Sequence, residues 1–169
     1  GDNNKPAVVP IKGSKSKSGI IVKGIHDLAV RFSKCCSPVP GDEIVGFVTR
    51  GRGITLHRTD CINVLNLPEI ERSRLIDAEW QGVEEDNSAA TYSTEISIFA
   101  NNRIGMFVDI SKIFTEREID IKTMNSRVNK QGKATITMSF DIHGIEELNN
   151  LMAKLRQIDG VLDIERTTG

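Results

Sequence analysis

The sequence predicts an α+β protein of two parts: a small β-rich domain, then a domain of order βαββαβ. Three observations predict this. Short alternating segments separated by Pro and Gly turns fill the first half. The second half switches between a two-residue and a 3.6-residue apolar period in the order strand, helix, strand, strand, helix, strand. Between them lies 81–90 (QGVEEDNSAA), acidic and poor in apolar residues, as domain junctions tend to be.

The organisation follows in chain order. Residues 1–18, rich in Lys, Ser, Gly and Pro, read as a flexible linker, and residues 19–80 as the first domain. Gly19–Lys23 is a short strand. Leu28, Val30 and Phe32 alternate with Ala29, Arg31 and Ser33, a second strand. Pro38–Asp42 (PVPGD) is a turn, Glu43–Thr49 a strand, Arg50–Gly53 a glycine-rich loop, and Ile54–His57 the returning arm of a hairpin. Asp60 is placed to cap a short helix reaching Asn66 and stopped before Pro68. Arg74–Trp80 closes the domain as a strand.

After the 81–90 linker, residues 91–167 form the second domain. Tyr92–Ala100 is a strand with Ile96, Ile98 and Ala100 on one face. Ile104–Glu118 is an amphipathic helix, with Ile104, Phe107, Val108, Ser111 and Phe114 at helical spacing. Ile119–Asn129 and Lys133–His143 are strands joined by the turn Lys130–Gly132. Ile145–Ile158 is a second amphipathic helix carrying Leu148, Leu151, Met152, Leu155 and Ile158. Asp159-Gly160 ends it before the strand Val161–Arg166. This order places both helices on one face of an antiparallel sheet.

Of the 169 residues, 38% are hydrophobic and 27% charged, ordinary for a soluble globular protein, and no apolar run approaches the roughly 18 residues that cross a bilayer. The opening at Gly1, without Met, reads as a fragment of something longer. A net charge of −1 conceals an asymmetry: residues 1–80 hold 12 Lys/Arg and 9 Asp/Glu, residues 81–169 hold 10 and 14. From Lys12 to Arg58 the balance is 9 basic to 3 acidic, a segment suited to a polyanion or simply a solvated tail. Three cysteines, an odd count, fit a reduced cytoplasmic setting better than a disulfide framework.

Three constellations carry chemistry. Cys35-Cys36 with His57 and Cys61 supplies mixed thiolate and imidazole ligands for a tetrahedral metal site. The same residues also fit three buried, inert cysteines, or a Cys–His nucleophile, although no oxyanion-hole element accompanies the pair. Thr49-Arg50-Gly51-Arg52-Gly53 presents guanidinium groups on a tight turn, suited to phosphate, or is a basic hairpin tip in solvent. It lacks the Gly-Lys-Ser/Thr end of a P-loop. Asn101-Asn102-Arg103-Ile104-Gly105 sits where a strand enters a helix. Backbone N–H groups of Ile104, Gly105 and Met106 there suit a carboxylate, Gly105 gives room, and Ile104 and Met106 offer an apolar wall; a plain helix cap by Asn102 is the alternative. The βαββαβ order also occurs in RNA-recognition motifs, but the third strand KATITMSF lacks their aromatic signature.

With those residues in view, the chain beyond the linker resembles the C-terminal regulatory region of long RelA/SpoT-type guanosine tetra- and pentaphosphate synthetase/hydrolases. The segment KCCSPVPGDEIVGFVTRGRGITLHRTDCIN is similar to that family's conserved-cysteine, or zinc-finger, domain, and Tyr92–Arg166 looks like its ferredoxin-like ACT domain. The resemblance implies a non-catalytic regulatory region with the catalytic domains upstream in the same chain. It implies zinc held by Cys35, Cys36, His57 and Cys61. It implies contact with large-subunit ribosomal RNA near a bound tRNA, for which Arg50, Arg52 and Arg58 are the candidate residues. It also implies an ACT domain that senses a branched-chain amino acid through Asn101, Asn102, Ile104, Gly105 and Met106, or pairs as a homodimer along the edge strand Ile119–Asn129. A purely structural dimerisation or autoinhibitory tail is the alternative. Many ACT domains carry Asp-Arg-x-Gly at the ligand loop. This chain has Asn102-Arg103-Ile104-Gly105, which removes the carboxylate that would meet a ligand ammonium group.

Overall fold

Strand-forming segments in the first half pair into one sheet, and those in the second half into another. The computed structural model describes residues 20–22, 29–51, 53–80 and 90–168, with backbone alone at 20–22. The linker 1–18, Arg52 and residues 81–89 of the predicted junction lie outside the described residues. The chain divides into two compact units, Gly1–Ser88 with Thr168–Gly169, and Ala89–Thr167.

Unit 1 contains β1 (Ile20–Val22), β2 (Ala29–Phe32), β3 (Ile44–Val48), β4 (Gly53–Arg58), the short helix α1 (Ile62–Leu65), a 3₁₀ turn (Glu69–Arg74) and β5 (Leu75–Trp80). Sheet order is β1-β5-β3-β4-β2, antiparallel except where β2 runs parallel to β4. The hairpin β3–β4 forms as the alternation predicts, with Val48 opposite Ile54. The parallel β2–β4 pairing and the 3₁₀ turn were not legible in the periodicity. Gly53 permits the first. A Cβ there would stand 2.3 Å from the Ala29 carbonyl oxygen, closer than any side chain tolerates.

Alternation gives the sheet two working faces. Ile44, Ile54 and Leu56 pack with Val30, Phe32, Val48, Ile76, Ala78 and Trp80. Trp80 stacks on Phe32 with centroids 5.6 Å apart, and its indole N–H donates to the Asp42 carbonyl at 3.1 Å. Cys36, Cys61 and Val64 form a second cluster with Cys35 and Val45. Asp60 does not cap α1, contrary to expectation: Cys61 occupies the N-cap without a side-chain hydrogen bond. The Asp60 carboxylate instead accepts from Arg58 at 2.7 Å, a charge-assisted bond that outcompetes a single cap.

Unit 2 contains β6 (Tyr92–Asn101), α2 (Met106–Glu116), β7 (Ile121–Val128), β8 (Lys133–Ile142), α3 (Ile145–Arg156) and β9 (Val161–Arg166). This is the predicted βαββαβ order, closed into an antiparallel sheet β7-β8-β6-β9. Ile96, Ile98 and Ala100 of β6 and Ala134, Ile136, Met138, Phe140 and Ile142 of β8 are buried beneath both helices. Phe114 meets Phe140 edge-on at 5.0 Å. α3 buries Leu148, Leu151, Met152 and Leu155, as its spacing predicts.

The first helix departs from expectation in start and in face. Gly105 sits at φ 85°, a left-handed conformation, so the helix opens at Met106 rather than Ile104. The stripe it buries is Met106, Ile110, Ile113 and Phe114. Phe107 and Val108, assigned to the inner stripe by their spacing, are exposed. Both stripes satisfy a 3.6-residue period, so periodicity alone does not choose between them. β7 is exposed at every position from Lys122 to Val128, although Met124 and Val128 are apolar.

Candidate metal centre

Four ligand-type side chains converge through the β2–β4 pairing. Phe32 pairs with Leu56, and the Ser33 N–H donates to the Leu56 carbonyl at 2.9 Å. The chain then turns over Ser33–Ser37, closed by the Ser37 N–H donating to the Ser33 carbonyl at 2.9 Å, and Cys35 and Cys36 lie beside His57. Cys61 arrives from the N-cap of α1. The Cys35 sulfur lies 3.4 Å from that of Cys61 and 3.5 Å from His57 Nδ1, and Cys36 Sγ lies 3.8 Å from the same nitrogen. All four ligand atoms lie within 4.8 Å of one another.

These separations suit a tetrahedral zinc centre. Zinc–sulfur bonds of about 2.3 Å and zinc–nitrogen bonds of about 2.0–2.1 Å require tetrahedral edges of roughly 3.5–3.8 Å. The separations of 3.4, 3.5 and 3.8 Å fall at that scale, and the donor set, thiolates with one imidazole, is one that zinc prefers. Adjacent Cys35 and Cys36 both approach His57 Nδ1, although metal sites usually space two cysteines by two residues.

Hydrogen bonds and burial set the sulfurs apart. Cys36 is pushed up to about 12, first by burial, with nearby Cys61 and Cys35 adding repulsion. Burial also raises Cys61. At Cys35 burial acts upward too, but bonds from Ser33, Asn63, Cys61 and Cys36 outweigh it and leave its thiol lowered. The Ser33 hydroxyl lies 2.8 Å from Cys35 Sγ. The Arg58 backbone N–H donates to Cys36 Sγ at 3.3 Å. Burial lowers His57, which keeps its imidazole neutral and available as a ligand. Ser33 was not singled out in the sequence. A serine two residues before a cysteine is a faint signal without the turn that brings them together.

The arginines separate. Arg50 stands at the β3–β4 tip with its side chain 83% exposed, near Glu71 at 3.8 Å. The tip is closed by Thr49 N–H donating to Gly53 O at 2.8 Å. Arg52 lies outside the described residues. Arg58 is not at the surface: its side chain is 7% exposed and its guanidinium is engaged by Asp60 and by the Cys36 carbonyl. It faces inward on the same face as Ile54 and Leu56, a placement that alternation along β4 implies once the strand's inner face is known.

The loop before α2 does not form the expected wall. Ile104 is 99% exposed while Met106 is buried in the core. The Met106 N–H is bonded to the Arg103 carbonyl at 3.3 Å, and Asn102 does not cap the helix, since Gly105 occupies the N-cap position. Asn101 accepts from Lys133, and the Asn102 N–H donates to Gly132 O. Arg103 pins the loop, donating to Asp159 O at 2.8 Å, Ile104 O at 3.0 Å and Asp109 at 2.8 Å. An open groove of about 530 Å³ lies instead along the outer face of α2, lined by Phe107, Val108, Ser111, Lys112, Thr115 and Glu116.

The described residues form a β-rich unit with a Cys/His cluster, followed by a four-stranded βαββαβ unit. Residues 20–81 match the RelA/SpoT RIS domain and residues 88–166 the ACT domain. The chain is 36% identical over 161 residues to the GTP pyrophosphokinase of Escherichia coli K12, covering 95% of this chain and 21% of that protein. It is 31% identical over 150 residues to the Streptomyces coelicolor GTP pyrophosphokinase, covering 89% and 17%. A solved ACT domain from the GTP pyrophosphokinase of Chlorobium tepidum aligns with 46% of this chain and 99% of its own, at 26% identity and TM-score 0.41. The chain therefore carries the RIS and ACT regulatory domains of the RelA/SpoT-type GTP pyrophosphokinases, and it spans about a fifth of the length of the curated relatives it matches.

Proposed function

We propose that this chain is the regulatory region of a cytoplasmic stringent-response (p)ppGpp synthetase/hydrolase. In this reading unit 1 holds zinc and engages ribosomal RNA beside tRNA, and unit 2 pairs with a second copy, while the catalytic domains lie elsewhere in the same protein. The observation that carries it is the match of both units, in order, to one stretch of the GTP pyrophosphokinases. Zinc is supported by the spacing of Cys35, Cys36, His57 and Cys61. RNA contact is supported by Arg50, whose side chain is largely exposed at the β3–β4 tip and carries a planar guanidinium.

For unit 2 the geometry favours self-association over amino-acid capture. The edge strand β7 is open to pairing, and the neighbouring α2 exposes Phe107 and Val108. Two-fold pairing along β7 would make one eight-stranded sheet. At the loop 101–106, by contrast, Ile104 and Met106 point to solvent and to the core rather than into one pocket.

Three measurements test the reading. Binding of ribosomal RNA titrated against salt should weaken on Arg50→Ala, with the logarithmic salt slope flattening by about one unit for one lost phosphate contact. An unchanged slope removes RNA contact through Arg50. Sedimentation across a concentration series should show a dimer, and a strict monomer at high concentration removes the pairing. Titration with Val, Leu and Ile while following amide shifts at residues 101–106 should leave that loop unmoved.

A further inference from the structure

Zinc bound by three thiolates and a neutral imidazole carries a net charge of −1. A charge of that kind among Cys36, Cys61, Val64 and Val45 is costly unless a cation stands near it. Arg58 brings a buried guanidinium to the ligand-bearing segments. That group is planar and delocalised, and the side chain is 7% exposed. It also touches the segments that bear the ligands. Nη1 donates to the Cys36 carbonyl at 3.2 Å, and the backbone N–H donates to Cys36 Sγ at 3.3 Å. Nη2 donates to Asp60 at 2.7 Å, one residue before Cys61, and Arg58 itself directly follows His57.

We propose that Arg58 is a positioning residue of the Cys35/Cys36/His57/Cys61 centre, compensating its negative charge and tying its three ligand segments together. The proposal rests on the zinc reading above. It gives Arg58 a role that its burial permits, in place of the RNA contact that its burial opposes. The geometry accounts for a bidentate group at this position. The planar fork reaches a carbonyl and a carboxylate at once, while a lysine ammonium supplies the charge as a single point.

The test uses the whole chain with wild type, Arg58→Lys and Arg58→Gln. Gln keeps hydrogen-bonding capacity and loses the charge; Lys keeps the charge and loses the fork. Zinc affinity is measured by competition with a chromophoric chelator, and cobalt(II) substitution reads ligand geometry through its visible and thiolate charge-transfer bands. Partners of this kind change metal affinity by about 10–100-fold, so affinity should fall in the order wild type, Lys, Gln, with shifted cobalt bands in the variants. A merely structural role moves the melting temperature and leaves the bands of the folded protein in place. Equal affinities with unchanged bands overturn the proposal while leaving zinc binding intact. A wild type that takes up neither metal overturns both readings. Should Arg58→Gln fail to fold, Arg58→Lys decides alone: wild-type affinity and wild-type bands overturn the proposal.

Discussion

Unit 1 and unit 2 are each built on one sheet, yet they are held by different means. Unit 2 buries an unbroken core of aliphatic, methionine and phenylalanine side chains between two full helices and the sheet. Unit 1 buries Val39, Ile44, Ile54, Leu56 and Val64 among its described residues, and two of its other buried side chains are the ligand-type Cys36 and Cys61. Small domains with so little apolar core usually need a disulfide or a metal. The three cysteines form no disulfide, and with His57 they offer a metal-type ligand set. On the proposed zinc reading, the contrast separates a unit stabilised by hydrophobic burial from one whose stability depends on four ligands.

The largest effect that sharpens this contrast lies in unit 2. Phe140→Ala removes a fully buried ring and its edge-on contact with Phe114, at an expected cost of about 3–5 kcal/mol. Methyl resonances of Ile98 and Leu151 should melt early while Trp80 fluorescence, the sole tryptophan and a reporter of unit 1, keeps its transition. Simultaneous loss of both signals would make the two units one cooperative block.

Metal removal should act on the other side. Stripping zinc from a protein held at 100 times its dissociation constant removes about 2.7 kcal/mol. The Trp80 transition should move down and the unit 2 methyl transition should stay. A chelator that moves neither breaks the comparison.

The metal-free chain should also show a pH window in unit 1. His57 is lowered below its ordinary 6.5 in the fold, so the unfolded chain binds its proton more readily. Stability is therefore full above about 6.5 and is lost as pH falls towards the folded value. Cys36 is raised from 9.0 to about 12, so its contribution is full below 9 and is lost as pH rises towards 12. Cys61 acts in the same direction as Cys36, and the lowered Cys35 partly opposes them. Chelated protein followed by Trp80 should be most stable between about 6.5 and 9, and Cys36→Ser should flatten the alkaline limb. A flat profile in the parent protein would contradict this assignment.

The smallest effect on stability is expected on the outer face of α2. Val108→Ser replaces an exposed side chain, so folding should change by less than about 0.5 kcal/mol. Dimer dissociation should nonetheless shift to higher protein concentration. An unchanged sedimentation profile would place the self-association surface elsewhere.

Much of the fold was legible because the two units advertise their elements with clean periods. β9 was read to the residue, and β6, β7 and β8 to within a residue or two. The 3₁₀ turn was missed because EIERSR carries no strong period, and the parallel β2–β4 pairing because no local signal encodes a long-range partner. The four ligand-type residues were legible as residue types, but their convergence follows from the long-range β2–β4 pairing and the turn after it. Arg58, a candidate for RNA contact, is buried, and a basic stretch does not say which of its members turn inward.

The sequence by itself determined the element order, the apolar faces of the strands and the presence of a zinc-type ligand set, since each depends on local spacing and residue chemistry. Only the tertiary structure decided which of two equally periodic stripes on α2 faces the core. The same holds for the arginine that enters unit 1 and for Ile104 and Met106, which part company around Gly105. Period fixes which residues share a face, but the direction of that face follows from the sheet it must cover. A left-handed glycine at a helix start rotates everything after it.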